Sequence, residues 1–212
     1  MSIRALLKSG LVAAVLLAAI GLTSNPGKAG EMKTAIFAGG CFWCVESDFD
    51  QIDGVVETVS GYIGGTVENP DYREVSAGGT GHYEAVRITY DPAKVSYDAL
   101  LSAFWHSVDP TDAGGQFCDR GESYRTAIFA TDEAQLAAAE TTKAEVAKDL
   151  KTDIATAVIK APTFYPAEGY HQDYYEKNPL RYKYYRYGCG RDARVKDVWG
   201  DKAFLGIKDP MG

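Results

Sequence analysis

A short apolar run, Thr34–Ala38 (TAIFA), ends in Gly39-Gly40, and Phe42, Val45, Phe49 and Ile52 then recur at helical spacing. Strand, tight turn and helix in that order make the helix fold back onto the sheet that holds the strand. The spacing predicts a helix from near Cys41 to just before Gly54, with two thiols, Cys41 and Cys44, in its first turn. Further along, Val55–Tyr62 reads as a strand and Gly64–Tyr72 (GGTVENPDY) as a turn-rich loop. Tyr83–Tyr90 (YEAVRITY) alternates, placing Glu84, Val86, Ile88 and Tyr90 on one face and Ala85, Arg87 and Thr89 on the other. Ser96 is positioned to cap a helix carrying Tyr97, Leu100, Leu101, Phe104 and Val108. A long loop, Asp109–Ser123, precedes a strand at Arg125–Ala130, and Thr131 is expected to cap a helix reaching about Leu150. Ile154–Lys160 is read as the final strand, and the tyrosine-rich tail Tyr165–Gly200 as holding one short helix around His171–Lys177. The expected class is α/β of the two-layer α+β type, a mixed sheet with helices packed on it.

The N-terminus has a different logic. Arg4 and Lys8 precede the apolar run Leu11–Leu22, followed by Pro26, Gly27 and Ala29. That is the layout of a secretory signal cleaved near Ala29, and the run is short for a membrane span. The alternative is an uncleaved anchor. Export, to a periplasm or a similar space, leaves residues 30–212 as a single domain with no membrane attachment. The formal net charge is −7 and becomes more negative once Arg4, Lys8 and Lys28 are removed. No Lys/Arg cluster interleaved with aromatics appears, which argues against nucleic acid as a partner.

Four cysteines occur, Cys41, Cys44, Cys118 and Cys189, and an exported chain could use them as two structural disulfides. A domain of this length does not need such staples. The single C-x-x-C and three scattered histidines (His82, His106, His171) do not suggest zinc. A thiol in the first turn of a helix faces unpaired N–H groups and the positive end of the dipole, so Cys41 is expected to have a lowered pKa and to act as a nucleophile. Phe42 and Trp43 would form an apolar floor beside it. Glu84, on the buried face of its strand, is expected to stay protonated and able to donate a proton, unless Arg73 or Arg125 pairs with it.

Specific blocks then appear in order along the chain. GCFWCVE, GYIGG, NPDYREV, GTGHYEAV, YDP, HSVDP, DRGESYR and PTFYPAEGYHQDYYEKNP together resemble an A-type peptide methionine sulfoxide reductase. The resemblance implies a ferredoxin-like-related α/β fold with the active site at the N-terminus of the first helix. It implies that Cys41 attacks the sulfoxide sulfur and Glu84 protonates the oxygen. Tyr72 and Tyr124 would hydrogen-bond that oxygen, Asp119 would orient the polar side, and Phe42 with Trp43 would cradle the methyl group. It further implies a monomer acting on free or protein-bound methionine sulfoxide, with no cofactor and with electrons from thioredoxin or a thioredoxin-like thiol donor.

Many family members have glycine where this chain has Cys44, which leaves the resolving thiol open. Helical spacing places Cys44 about 5–6 Å from Cys41 at Cβ, so a small distortion would allow a disulfide. Cys44 is therefore the expected resolver of a Cys41 sulfenic acid. Cys189, flanked by Gly188 and Gly190, is the candidate shuttle to the reductant. Cys118, next to Asp119 in sequence, is the third choice for the redox role and is more readily read as a small buried apolar residue. The rival reading is a thioredoxin-type thiol–disulfide oxidoreductase, with Ala161-Pro162 mimicking its proline loop. Glu84 and the tyrosine set have no role in that chemistry.

Overall fold

The computed structural model describes residues 30–209, so the expected export signal lies outside the described residues. The first half of the chain forms β1 (Lys33–Gly39), α1 (Phe42–Asp50), β2 (Val55–Ile63), α2 (Tyr72–Ala77), β3 (Tyr83–Tyr90) and α3 (Tyr97–Trp105). A small hairpin follows, β4 (Gly115–Gln116) and β5 (Asp119–Arg120), then β6 (Thr126–Ala130), α4 (Glu133–Leu150), β7 (Ala157–Lys160) and β8 (Phe164–Pro166). Among the described residues α5 (Tyr174–Lys177), α6 (Pro179–Cys189) and α7 (Arg191–Trp199) follow, with a short 3-10 turn, Gly200–Lys202, after them.

Six strands make one mixed sheet in the order β7-β6-β1-β3-β2-β8. β6 and β7 are parallel and joined by α4, while the other pairs are antiparallel. The alternation expected for β3 holds. Val86, Ile88 and Tyr90 point into the main core with Phe37, Ile128, the α1 residues Phe42, Val45 and Phe49, and the α3 residues Leu100, Leu101 and Phe104. Phe37 is the centre of this layer, its ring 5.3 Å from Phe49 and 4.9 Å from Phe104. The opposite face carries a smaller cluster of Ile36, Ala38, Ile63, Tyr83, Ala85, Ala127 and Phe129, with Ile159 and Phe164 packed against it.

Several local expectations need correction. Asp132, not Thr131, caps α4, its carboxylate accepting the Gln135 N–H at 2.8 Å. The strand after α4 starts at Ala157, and it is not the last, because β8 adds to the β2 edge. The loop before Tyr72 ends in a real helix, where Asp71 and Glu74 form a reciprocal capping box. The tail holds α6 and α7 as well as the short helix near His171–Lys177.

Buried charge docks α6 onto α1. Arg186 of α6 bonds Asp48 of α1 at 2.7 Å and Asp192 at 2.8 Å, and Arg191 lies 3.5 Å from Asp48. Asp48 and Arg186 are almost fully enclosed, so removing one partner strands the other charge. Arg186→Met alone is expected to cost about 3–5 kcal/mol in denaturant unfolding, and Asp48→Leu with Arg186→Met should recover much of it. A single-variant loss below about 1 kcal/mol, the range of exposed pairs, would show that water reaches this network.

Candidate active site

Cys41 is the N-cap of α1, and its carbonyl accepts the N–H groups of Cys44 and Val45 at 3.1 and 3.3 Å. The first helical amide, that of Phe42, does not serve the sulfur. It donates to Glu84 Oε2 at 3.1 Å, so the carboxyl of β3 reaches across to the helix N-terminus. Neither arginine considered from the sequence neutralises Glu84; Arg125 donates to the Glu122 carbonyl and lies over the Tyr83 ring instead.

Gly40 explains how the loop after α3 reaches this point. Its φ is +85°, and a Cβ there would sit 2.6 Å from the Gln116 Cβ, so only glycine permits both the turn and the contact. Gln116 is itself locked, accepting the Asp109 N–H at 2.9 Å and donating to the Asp109 carbonyl at 2.8 Å. The segment seated in this way delivers Asp119 and Tyr124 to Cys41. On the other side, Tyr72 opens α2, held by its N–H bond to Glu168 at 2.8 Å.

Cys41, Phe42, Trp43, Tyr72, Glu84, Asp119 and Tyr124 all line one cleft of about 60 Å³, together with Tyr185. Tyr185 was not singled out from the sequence, where it is one tyrosine among many. Its hydroxyl donates to Asp119. The helical spacing of Tyr182, Tyr185 and Cys189 was the available signal. His171 was also missed as a support. Its Nδ1 accepts the indole N–H of Trp43 at 3.0 Å, which requires that nitrogen to be unprotonated, and burial lowers the pKa of the ring. Trp43 is further fixed by stacking on Tyr174 at 3.7 Å.

Burial pushes Glu84 up to about 8, opposed by the Phe42 N–H and assisted by the charges of Asp119 and Cys44. At neutral pH the carboxyl therefore carries its proton. Burial raises the phenols of both Tyr72 and Tyr124, keeping them as donors. The expectation for Cys41 is overturned. Burial raises its thiol well above the usual range, helped by the hydrogen bond and charge of Cys44 and by the nearby carboxylates. The helix-terminal effect fails because Glu84 takes the N–H that should have served the sulfur, while burial removes water. Cys44 shifts the other way, lowered by the hydrogen bond from Cys41 and then by Arg191 and Arg186. The two neighbouring thiols are thus pushed in opposite directions, Cys41 up and Cys44 down.

Cys41 and Cys44 are free and buried. Cys118 and Cys189 form a disulfide, so Cys118 is not the small buried residue expected; it is exposed. Nor does Cys189 lie in a loose tail, since it ends α6 just before the left-handed cap Gly190. The Asp119 carboxylate lies 3.8 Å from each of these sulfurs, so the bridge stands directly behind the polar wall of the cleft. Cys118, Asp119 and Cys189 are close enough to resemble a metal site, but the two sulfurs are bonded to each other.

Comparisons with known proteins agree with this arrangement. A family profile described as peptide methionine sulfoxide reductase matches residues 33–203. A Caulobacter vibrioides protein named peptide methionine sulfoxide reductase MsrA 2 is 55% identical over 188 residues, covering 88% of this chain and 95% of that one. The Bacillus subtilis protein named MsrA is 51% identical over 172 residues, covering 80% and 97%. Among solved structures, methionine sulfoxide reductase A of Corynebacterium diphtheriae superposes with a TM-score of 0.65 at 34% identity, covering 74% of this chain and 78% of that one. With the family profile matched over residues 33–203 and relatives named MsrA 55% and 51% identical along nearly their whole length, the chain belongs to the A-type peptide methionine sulfoxide reductases.

Proposed function

We propose that this protein reduces the S epimer of methionine sulfoxide, free or in polypeptides, to methionine. The observation that carries the reading is a buried carboxyl, Glu84, in the same small cleft as the Cys41 thiol and an aromatic floor. The Cys41 sulfur attacks the sulfoxide sulfur, its proton leaving toward Cys44, while Glu84 protonates the sulfoxide oxygen. Two electrons pass from Cys41 to the substrate, the oxygen leaves with Cys41 as a sulfenic acid, and methionine is released. Cys44 then displaces the hydroxyl as water, giving a Cys41–Cys44 disulfide. Its place one helical turn from Cys41, in the same buried cluster, supports that role.

A thioredoxin-like dithiol first reduces the Cys118–Cys189 bridge. The freed Cys189 thiol then attacks the Cys41–Cys44 disulfide, and reclosure of Cys118–Cys189 restores both inner thiols and carries the disulfide outward. No metal, flavin or nucleotide enters the balance, and a monomer suffices. Export rests on the layout of the first residues, Arg4 and Lys8 before the apolar run Leu11–Leu22 and the small residue Ala29. No helix among the described residues is long and apolar enough to cross a membrane. The thioredoxin-type alternative has no use for Glu84, and Ala161-Pro162 follows edge strand β7 without lining the cleft.

Stereochemistry tests the proposal. A chiral sulfur can present its oxygen to Glu84 and its methyl to Phe42 and Trp43 in only one of its two configurations. The separated S epimer should be reduced and the R epimer left intact, read by chromatography of the methionine formed. Equal turnover of both would overturn the assignment.

A further inference from the structure

The catalytic cleft is about 60 Å³, enough for little more than the methyl sulfoxide tip of a side chain. Any polypeptide carrying that side chain must therefore lie across the mouth. One side of the mouth is formed by Trp43 and Tyr185, and these same two residues wall a second, open groove of about 450 Å³ with Tyr174, Leu180, Arg181 and Tyr184. The groove and the cleft thus share two walls. Its floor is rigid, with Trp43 stacked on Tyr174 and meeting Tyr185 edge-on at 5.8 Å. Leu180 and Tyr184, one helical turn apart on α6, are 84% and 82% exposed. Apolar side chains this exposed beside an active site mark a surface that is covered during function.

We propose that this groove is a polypeptide subsite, which takes an apolar or aromatic side chain close in sequence to the oxidised methionine. The proposal rests on the methionine sulfoxide reading above and adds the kind of substrate the site prefers. Aromatic walls give contact area with little ordering cost, and the sulfoxide in the cleft fixes the register of the chain that crosses them. Free methionine sulfoxide cannot reach the groove and gains nothing from it. Oxidised methionines beside apolar neighbours, which are ordinarily buried and become accessible when a protein loosens, would be the favoured class.

The test uses dithiothreitol as reductant and three substrates: free methionine-S-sulfoxide, a peptide with Phe beside the oxidised methionine, and the same peptide with Ser there. The parent protein should favour the Phe peptide by roughly tenfold in kcat/KM, mostly through KM, as expected for burying one such side chain. Leu180→Ser with Tyr184→Ser should abolish that preference and leave turnover of the free amino acid unchanged. Tyr187→Ser, equally exposed on the same helix but outside the groove, should keep the preference. A double variant that retains the preference would overturn the proposal. So would an equal loss on free and peptide substrates, or a defect seen only when thioredoxin replaces dithiothreitol. Polarisation of the labelled Phe peptide on the Cys41→Ser protein, with and without the double substitution, separates the two readings. Binding that depends on the groove, without sulfoxide turnover by the parent, would fail the activity alone, and turnover without such binding would fail the groove alone.

Discussion

Glu84→Gln should slow methionine formation in a single turnover by about 10²- to 10⁴-fold, the range of a lost general acid. The substitution is a clean probe because glutamine can still accept the Phe42 N–H that Glu84 accepts at 3.1 Å, yet it has no acidic proton. The parental pH profile has a direction set by the same carboxyl. With its pKa raised from 4.5 to about 8 by burial, Glu84 is protonated below that value and loses its proton above it. The chemical step should therefore fall as pH rises through about 8, by roughly tenfold per pH unit if Glu84 is the sole acid, and this limb should vanish in the Gln variant. The sign for stability is parallel. A carboxyl that prefers to be neutral when folded stabilises the fold fully below its unfolded pKa, and this contribution is lost as pH rises toward about 8. Gln cannot ionise, so the variant should be no less stable than the parent at pH 8. Single-turnover rates and unfolding curves across pH 5–9 separate the two effects. A parental rate in Glu84→Gln would place the proton donor elsewhere, with Tyr124 and Tyr72 the next groups in the cleft.

What could be read from the sequence was whatever a short period encodes. The strand, glycine pair and helix around Cys41, and the two-residue alternation that turns Glu84 inward with Val86 and Ile88, are local patterns. The capping box at Asp71 and Glu74 was equally local and was still missed, because a loop rich in glycine and proline precedes it. Other features depend on distance through space. Cys118 and Cys189 are 71 residues apart, and no spacing rule pairs them. The docking of α6 depends on Arg186 finding Asp48, and only after that docking does Tyr185 become part of the cleft. The lowered pKa expected of Cys41 was a local rule correctly stated and then overridden. It took no account of a carboxyl from β3 occupying the helix N-terminus, nor of burial raising the thiol.

Among the four cysteines, the largest effect should come from Cys41→Ser, which is expected to abolish even the first turnover, since serine cannot accept the sulfoxide oxygen through sulfur oxidation. Cys44→Ser should behave differently. It leaves the attacking sulfur and Glu84 in place, so about one methionine per enzyme should still form as Cys41 becomes a sulfenic acid. Recycling by a thioredoxin-like protein should then fail, because the sulfur in contact with Cys41 is gone. If Cys44 takes the Cys41 proton, as proposed, single-turnover rates should also drop in this variant. Cys189→Ser breaks the bridge to Cys118 without touching that pair. If Cys189 passes the disulfide outward, this variant makes the Cys41–Cys44 bond normally and accumulates it under the protein reductant, while dithiothreitol still restores turnover. Mass mapping of the disulfides after one equivalent of sulfoxide distinguishes the cases. A Cys44→Ser protein that recycles at the parental rate would remove Cys44 from the relay, and a Cys41–Cys189 bond in the same sample would name Cys189 as the direct resolver.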